Sequence, residues 1–247
     1  MIDAKIQAKR LSEVIDIADA ITDEVVLQFL TSGLRIAVVD KANVAMVWLD
    51  LPASEFTQYD VTETGLGIIN DKLIEFFRLV DGEEDVSLSF DTETWKLSLS
   101  ASGLTYVVSL IRPEEINTPD EIPSLPWGAE VTVEVPAVKR SLKASDMVSD
   151  HVTFTIKDDM FCISASDEDG DDTRFAPDDV TVKPGSGDVV EECESKFSLD
   201  YLKEMFKPVS SMYTRIHIAE DMPTLMTTKL ESSEGEANFI LAPRIAA

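Results

Sequence analysis

The densest cluster of reactive side chains in this sequence is Asp167-Glu-Asp-Gly-Asp-Asp172. Carboxylates grouped around a glycine suggest a calcium loop, but that loop needs glycine at its sixth position and glutamate at its twelfth. Counted from Asp167, the glycine is fourth. The run therefore reads as an acidic surface loop, with loose cation binding at high salt left open. Pro184-Gly-Ser-Gly187 lacks the second glycine spacing of a G-x-S-x-G nucleophile elbow. Only two histidines occur. His151 follows a helical stretch and opens a strand, His217 lies within one, and neither has an obvious Ser or Cys partner. Cys162 and Cys193 match no metal or redox spacing and read as reduced thiols. There is no phosphate-binding glycine loop before a helix. The expectation is a protein without catalytic residues, cofactor or bound metal.

The remaining chemistry is electrostatic. The chain has 247 residues, 47 of them acidic and 21 basic, for a formal net charge of -26. Such a charge suits a cytoplasm at molar salt, where a Debye length of about 3 Å screens self-repulsion. It speaks against nucleic-acid binding on composition alone. The basic residues are unevenly placed, however. Nine fall in four amphipathic stretches: Lys9, Arg10, Lys72, Arg78, Lys139, Arg140, Lys143, Lys203 and Lys207. Those stretches carry eight acids, a net charge of +1 against -27 for the rest. Lys and Arg are good helix formers on solvated faces. The alternative is that the four helices present one face to phosphates.

These stretches belong to a repeated pattern. Residues 5–40 align with 132–167 at a constant offset of 127: Ile6 on Val133, Ile15 on Leu142, Leu27 on Phe154, Asp40 on Asp167. Both segments read strand, helix, strand, turn, strand. Asn70–Val80 aligns likewise with Leu199–Val209, and each leads into alternating strands. A repeated order of elements points to a duplicated domain. Helices are expected over about 9–21, 70–80, 137–147 and 199–207. Period-two runs at 86–90 and 96–100, separated by Asp91-Thr-Glu-Thr, read as a hairpin. Further strands are expected at 103–111 and 237–241. The fold class is α+β: two duplicated subdomains of antiparallel sheet with two helices each, 1–112 and 128–247. A connector at 113–127 separates them; four prolines between Arg112 and Pro126 make it stiff and extended, neither helix nor central strand. Ile116, Ile122 and Leu125 give it an apolar side. No apolar run of 18 residues and no secretory h-region occurs. A cytoplasmic protein is expected.

Leu34-Arg-Ile-Ala-Val-Val-Asp-Lys-Ala-Asn-Val-Ala-Met-Val47 resembles the hallmark segment of the archaeal and eukaryotic PCNA family. Phe239-Ile-Leu-Ala-Pro-Arg-Ile245 resembles that family's C-terminal strand and tail. Ser141–His151 and Phe197–Lys203 are similar to archaeal members. The acidity resembles that of haloarchaeal proteins, cellular or viral, which implies the cytoplasm of a high-salt archaeal cell.

The resemblance implies a sliding clamp: a homotrimeric ring around duplex DNA, with the four helices of each subunit lining the hole. The nine basic residues would then face DNA, and the link to DNA would be topological. It also implies docking of DNA polymerase, clamp loader, ligase and nuclease through short peptides. The matching positions are Val39, Asn43, Val44, Ile122, Pro123, Pro223, Ala242 and Pro243. The family joins its subunits by edge strands. The matching residues are Tyr106, Val108 and Leu110 on one edge and Thr173, Arg174 and Phe175 on the other. The second edge follows the acidic loop, so low salt is expected to dissociate the ring. Two rival readings are a specialised or viral subunit of a mixed ring, and an acidic protein that mimics DNA. The mimic would be acidic on every face.

Overall fold

The computed structural model describes residues 1–177, 180, 182–186 and 192–244. In chain order the elements begin β1 (Ile2–Gln7), α1 (Ala8–Asp19), β2 (Glu24–Leu30), β3 (Gly33–Val39), β4 (Ala45–Pro52) and β5 (Gln58–Val61). Then come β6 (Thr64–Ile69), α2 (Asn70–Phe77), β7 (Asp85–Asp91), β8 (Lys96–Ala101) and β9 (Leu104–Ser109). The second series is β10 (Ala129–Glu134), α3 (Val135–Ser145), β11 (His151–Lys157), β12 (Met160–Ser166), β13 (Asp172–Phe175) and β14 (Val182–Pro184). It closes with β15 (Glu192–Ser198), α4 (Leu199–Phe206), β16 (Tyr213–Ile218), β17 (Thr224–Lys229) and β18 (Glu236–Leu241). The class is α+β, as the sequence pattern implies.

The offset of 127 carries β1 onto β10, β2 onto β11 and β3 onto β12 residue for residue. The duplication is therefore one of structure. The helices begin one or two residues earlier than expected at α1 and α3. All four end before the expected boundary, because the last expected residues form turns.

The chain forms two compact units. One contains Met1–Lys41, Val47–Asp120 and Leu230–Ala237; the other contains Ala42–Met46, Glu121–Lys229 and Asn238–Ala247. In the first, strands run in the order β5-β1-β7-β8-β9, with a second set ordered β4-β3-β2-β6. Alternate residues of β1 (Ile2, Ala4, Ile6) are buried with Leu11, Val14, Ile15 and Ala18 of α1. In the second unit, β13-β12-β11-β15 form a four-stranded sheet. Its Val152, Phe154, Ile156, Phe161 and Ile163 are buried on the face that packs on α3 and α4, with Val138 and Leu142. Burying an aliphatic or aromatic side chain of this size stabilises a fold by about 1.5–3 kcal/mol, so the apolar alternation fixes which face of each strand turns inward.

The connector begins as a single 3₁₀ turn, Pro113–Glu115, contrary to the expectation of fully extended chain. Proline at the first position suits such a turn, because its missing N–H has no partner there in any case. Cys162 and Cys193 are buried on the two strands that flank β11. Burial, then the nearby Glu220 carboxylate, pushes the Cys193 thiol up. Among the described residues no helix is long and apolar enough to cross a membrane.

Candidate nucleic-acid interface

The helices begin directly after strands, and neither α2 nor α4 has a side-chain N-cap. Instead, Asp71 and Asp200 sit in their first turns, where a carboxylate faces the positive end of the helix dipole. The two units differ in charge far more than in shape. α1 holds Glu13 and Asp16 where α3, 127 residues on, holds Arg140 and Lys143. Counting only the helices themselves, α1, α2 and α4 each carry one net negative charge. α3, with Lys139, Arg140, Lys143 and no acid, carries three positive ones.

The nine basic side chains fall into different environments. Lys9 Nζ pairs with Glu83 at 2.7 Å, and Lys72 Nζ donates to the Ser109 carbonyl at 3.4 Å. Arg78 is exposed and lies close enough to Asp16 to oppose the rise that burial and Asp19 impose on its carboxyl. Arg10 is half-buried, with its side chain 28% exposed. Its Nη1 lies 2.6 Å from Glu55 Oε2 and also donates to the Glu55 carbonyl at 2.9 Å. Glu55 is buried and also accepts the Glu234 N–H. Arg10 is thus committed to the interior of its own unit. Its Nε is buried without a partner among the described residues.

In the second unit Lys203 pairs with Asp146 at 2.8 Å and Lys207 with Glu204 at 3.2 Å. Lys139 Nζ donates to the carbonyls of Lys207 (3.2 Å) and Val209 (2.7 Å), at the C-terminal end of α4. That is where a cation satisfies orphan carbonyls and the helix dipole. Desolvation there holds its ammonium below the ordinary lysine value. Arg140 and Lys143 are exposed and make no ion pair or hydrogen bond among the described residues. Arg78 likewise has no ion pair or hydrogen bond through its side chain among the described residues, but it lies near Asp16, whereas Arg140 and Lys143 share a helix that carries no acid.

Both expected joining strands are sheet edges. β9 ends the β5-β1-β7-β8-β9 order and β13 ends the β13-β12-β11-β15 order, so each has one backbone edge unpaired within its own sheet. Tyr106 stacks on Phe76 at 6.1 Å, and Leu110 lies half-buried just beyond β9. Val108 is turned into its own unit, so only its backbone is available to a partner. Thr173 meets Ser145 at 3.3 Å, Arg174 is exposed and Phe175 half-buried. Exposed apolar residues that sequence reasoning did not single out include Leu104 and Val107 on β9, Leu79 after α2 and Met147 after α3. They lie inside the expected helices 70–80 and 137–147 and the expected strand 103–111, so nothing in the pattern marked them as exposed.

The residues expected to receive peptides lie, except Val39, in the second unit. Val39 is half-buried at the end of β3, and its N–H donates to the Asn117 carbonyl at 3.4 Å. Asn43 is exposed with φ 56°, a left-handed conformation that asparagine tolerates better than most residues. The Val44 carbonyl accepts the Ala242 N–H at 2.8 Å, tying the loop to the tail. Ile122, Pro223, Ala242 and Pro243 are half-buried and Pro123 is exposed. The tail continues along β15, with the Arg244 N–H on the Lys196 carbonyl at 2.6 Å. The Arg244 side chain reaches Asp150 at 3.1 Å. Residues 245–247, expected to complete the tail, lie outside the described residues.

The acidic loop is a turn. Asp167 Oδ1 accepts the N–H groups of Gly170 (2.8 Å) and Asp171 (2.9 Å), and Gly170 takes φ 95°. No group of three or more His, Cys, Asp or Glu is placed to hold a metal among the described residues. One expectation needs correction. His151 does have a serine neighbour, Ser149 Oγ, 3.4 Å from Nδ1. The Asp150 carboxylate contacts the same nitrogen at 2.5 Å. A proton relay needs the two partners on opposite ring nitrogens, so the arrangement is not a catalytic triad. The hydrogen bond from His151, and then the one from Arg244, hold the Asp150 carboxyl below its usual value.

With this geometry in view, comparison with known proteins is informative. Residues 1–102 match the family model of the proliferating cell nuclear antigen N-terminal domain. The chain is 32% identical to the "DNA polymerase sliding clamp" of Natronomonas pharaonis, and 32% identical to that of Haloarcula marismortui. Both alignments cover 99% of this chain and 99% of the relative. A solved structure of A. fulgidus PCNA bound to the C-terminal region of FEN-1 superposes with a TM-score of 0.90 at 29% identity, covering both chains completely.

Proposed function

This chain belongs to the PCNA family of DNA sliding clamps, and from that premise we propose that it is a replication clamp without catalytic activity of its own. The observation that carries the proposal is kinship over 99% of both chains with haloarchaeal clamps. Three copies would close into a ring around duplex DNA by pairing β9 of one subunit with β13 of the next. Support for that joint is the backbone edge of each strand left unpaired within its own sheet, with Tyr106, Leu110, Thr173, Arg174 and Phe175 on or beside them and Val107 exposed on β9. Val108 would take part through its backbone.

The four helices would face the hole. Within them, we assign the main phosphate contact to Arg140 and Lys143 of α3. Lys9, Lys72, Lys203 and Lys207 would serve only by exchanging a carboxylate or carbonyl for a phosphate, and Arg78, exposed but near Asp16, would add a weaker contact. Arg10 and Lys139 would act through structure. Contacts to so few phosphates are weak, and each adds about 0.9 to the salt slope. A closed ring needs no more, because its hold on DNA is topological.

The A. fulgidus relative binds the C-terminal region of FEN-1. By analogy, short segments of polymerase, clamp loader, ligase and nuclease would dock on Asn43, Val44, Ile122, Pro123, Pro223, Ala242 and Pro243, with Val39 adjoining. Strand addition along the tail would extend the contact. The segment 113–127 would act as the connector between subdomains 1–112 and 128–247, in the cytoplasm of a high-salt archaeal cell.

The test is primer extension on circular DNA with a clamp loader and polymerase at molar KCl. The expected result is longer products per binding event when this chain is added. Unchanged product length with a competent loader would overturn the proposal.

A further inference from the structure

The β13-β12-β11-β15 sheet has a second face, opposite the one that packs on α3 and α4, and strand alternation makes it polar. One cross-strand row on it is unusual. Lys196 pairs with Thr153, Thr153 with Ser164, and Ser164 with Arg174. A cation thus stands at each end of the row with two hydroxyls between. At a strand spacing of about 4.8 Å the two end Cα atoms lie about 14 Å apart, a span that Lys and Arg side chains can close from both sides. Both line one cavity of about 160 Å³, together with His151, Thr153, Ser164, Ser166, Thr173 and Asp172.

In a chain with 47 acids and 21 bases, cations are commonly claimed by carboxylates. Here neither Arg174 nor Lys196 has a side-chain partner among the described residues. The lining holds two cations against one carboxylate, and its hydroxyls can donate to an anion. We propose that this cavity binds a free tetrahedral oxyanion of the phosphate or sulfate class. The site is a partly open depression that takes a small ion together with some of its water. The loop that closes the β12–β13 end carries exposed Glu168, Asp169 and Asp171. That rim opposes any anion, so the site depends on the two cations outweighing it and is best filled at high salt, where the rim is screened. The inference is independent of the DNA-facing assignment, since none of these residues lies on a helix.

The experiment is calorimetric titration of the full chain with inorganic phosphate, and separately with sulfate, at constant chloride. The wild-type protein should show one saturable site. Arg174→Gln and Lys196→Gln should each weaken it about tenfold, as for loss of a charge-assisted hydrogen bond. Lys196 is exposed and lies off the proposed joint, so Lys196→Gln should leave thermal unfolding unchanged; Arg174 lies on the joining strand β13, so Arg174→Gln is compared with the wild type at equal trimer mass. Backbone amide shifts at Thr153 and Ser164 of the wild-type protein provide a second reading that needs no variant. No heat above the chloride background together with unmoved amides would overturn the proposal. So would equal affinity in the double variant. A third overturning result is binding of a short DNA duplex that the double variant abolishes while inorganic phosphate gives nothing.

Discussion

Consider Glu55→Gln. The native carboxylate is 9% exposed and pairs with Arg10, whose side chain is 28% exposed. Glutamine keeps an acceptor for the Glu234 N–H but turns an amide toward a guanidinium that only donates. Removing one partner of a buried ion pair costs about 3–5 kcal/mol. Because Arg10 keeps some water contact, the lower end applies, about 3 kcal/mol. For a chain of this size each kcal/mol moves the midpoint by about 2–4 °C, so Tm should fall by about 6–12 °C. The assay is scanning calorimetry at low salt and again at about 1 M KCl, where exposed charges separated by more than about 3 Å are screened. The loss should persist in both. The control is Lys9→Gln, whose pair with Glu83 is 40% and 69% exposed and should contribute at most about 1 kcal/mol. The double variant Arg10→Met with Glu55→Met should be more stable than the two single losses summed, since no charge is left stranded. A drop under about 2 °C for Glu55→Gln would mean less than about 1 kcal/mol, and would refute the reading of Arg10 as an interior group. Disappearance of the effect at high salt would do the same.

Three other outcomes are expected. Arg140→Gln with Lys143→Gln should leave thermal stability within about 0.5 kcal/mol yet shorten retention on DNA; each lost phosphate contact lowers the salt slope by about 0.9, and an unchanged slope refutes the assignment. The Asp150 carboxyl has a lowered pKa, so its bonds to His151 and Arg244 hold the tail at all pH above the ordinary value of 3.8 and release it as pH falls through the lower folded value. Carboxyl NMR should give a midpoint below 3.8, returning only part of the way in Arg244→Gln because the His151 bond is the larger cause; a full return would contradict that order. Light scattering should report a trimer at molar salt and smaller species in dilute buffer, since Glu168, Asp169, Asp171 and Asp172 adjoin the β13 edge; a trimer mass in dilute buffer removes the idea that salt holds the joint.

Much of the fold was legible because periodicity and repetition are local. Ile6 and Val133, or Leu27 and Phe154, repeat at one offset because each must fill the same place in the same unit. The period of two over 86–90 dictates a strand wherever that segment is placed. The charge assignments were less legible. That Arg10 is enclosed depends on Glu55, 45 residues away, and that Lys139 caps α4 depends on carbonyls 68 and 70 residues away. Helical pattern says that a lysine is on a polar face; it does not say which acceptor the neighbouring element brings. Val108 shows the same limit. Resemblance put it on a joining edge, and only strand alternation against the core turned its side chain inward. The row from Lys196 to Arg174 was illegible for the reason that sheets are hard to read: its four residues are contributed by four strands.

The placement of the two cysteines has a practical use. Both thiols are buried beside β11, and Cys193 is further disfavoured as a thiolate by burial. The folded chain should therefore be almost inert to maleimide dyes. A cysteine introduced on an exposed turn would be the one fast-reacting position, so a fluorophore can be attached without first removing the native thiols. The slow labelling of the unaltered protein would in turn time the spontaneous opening of the β13-β12-β11-β15 sheet.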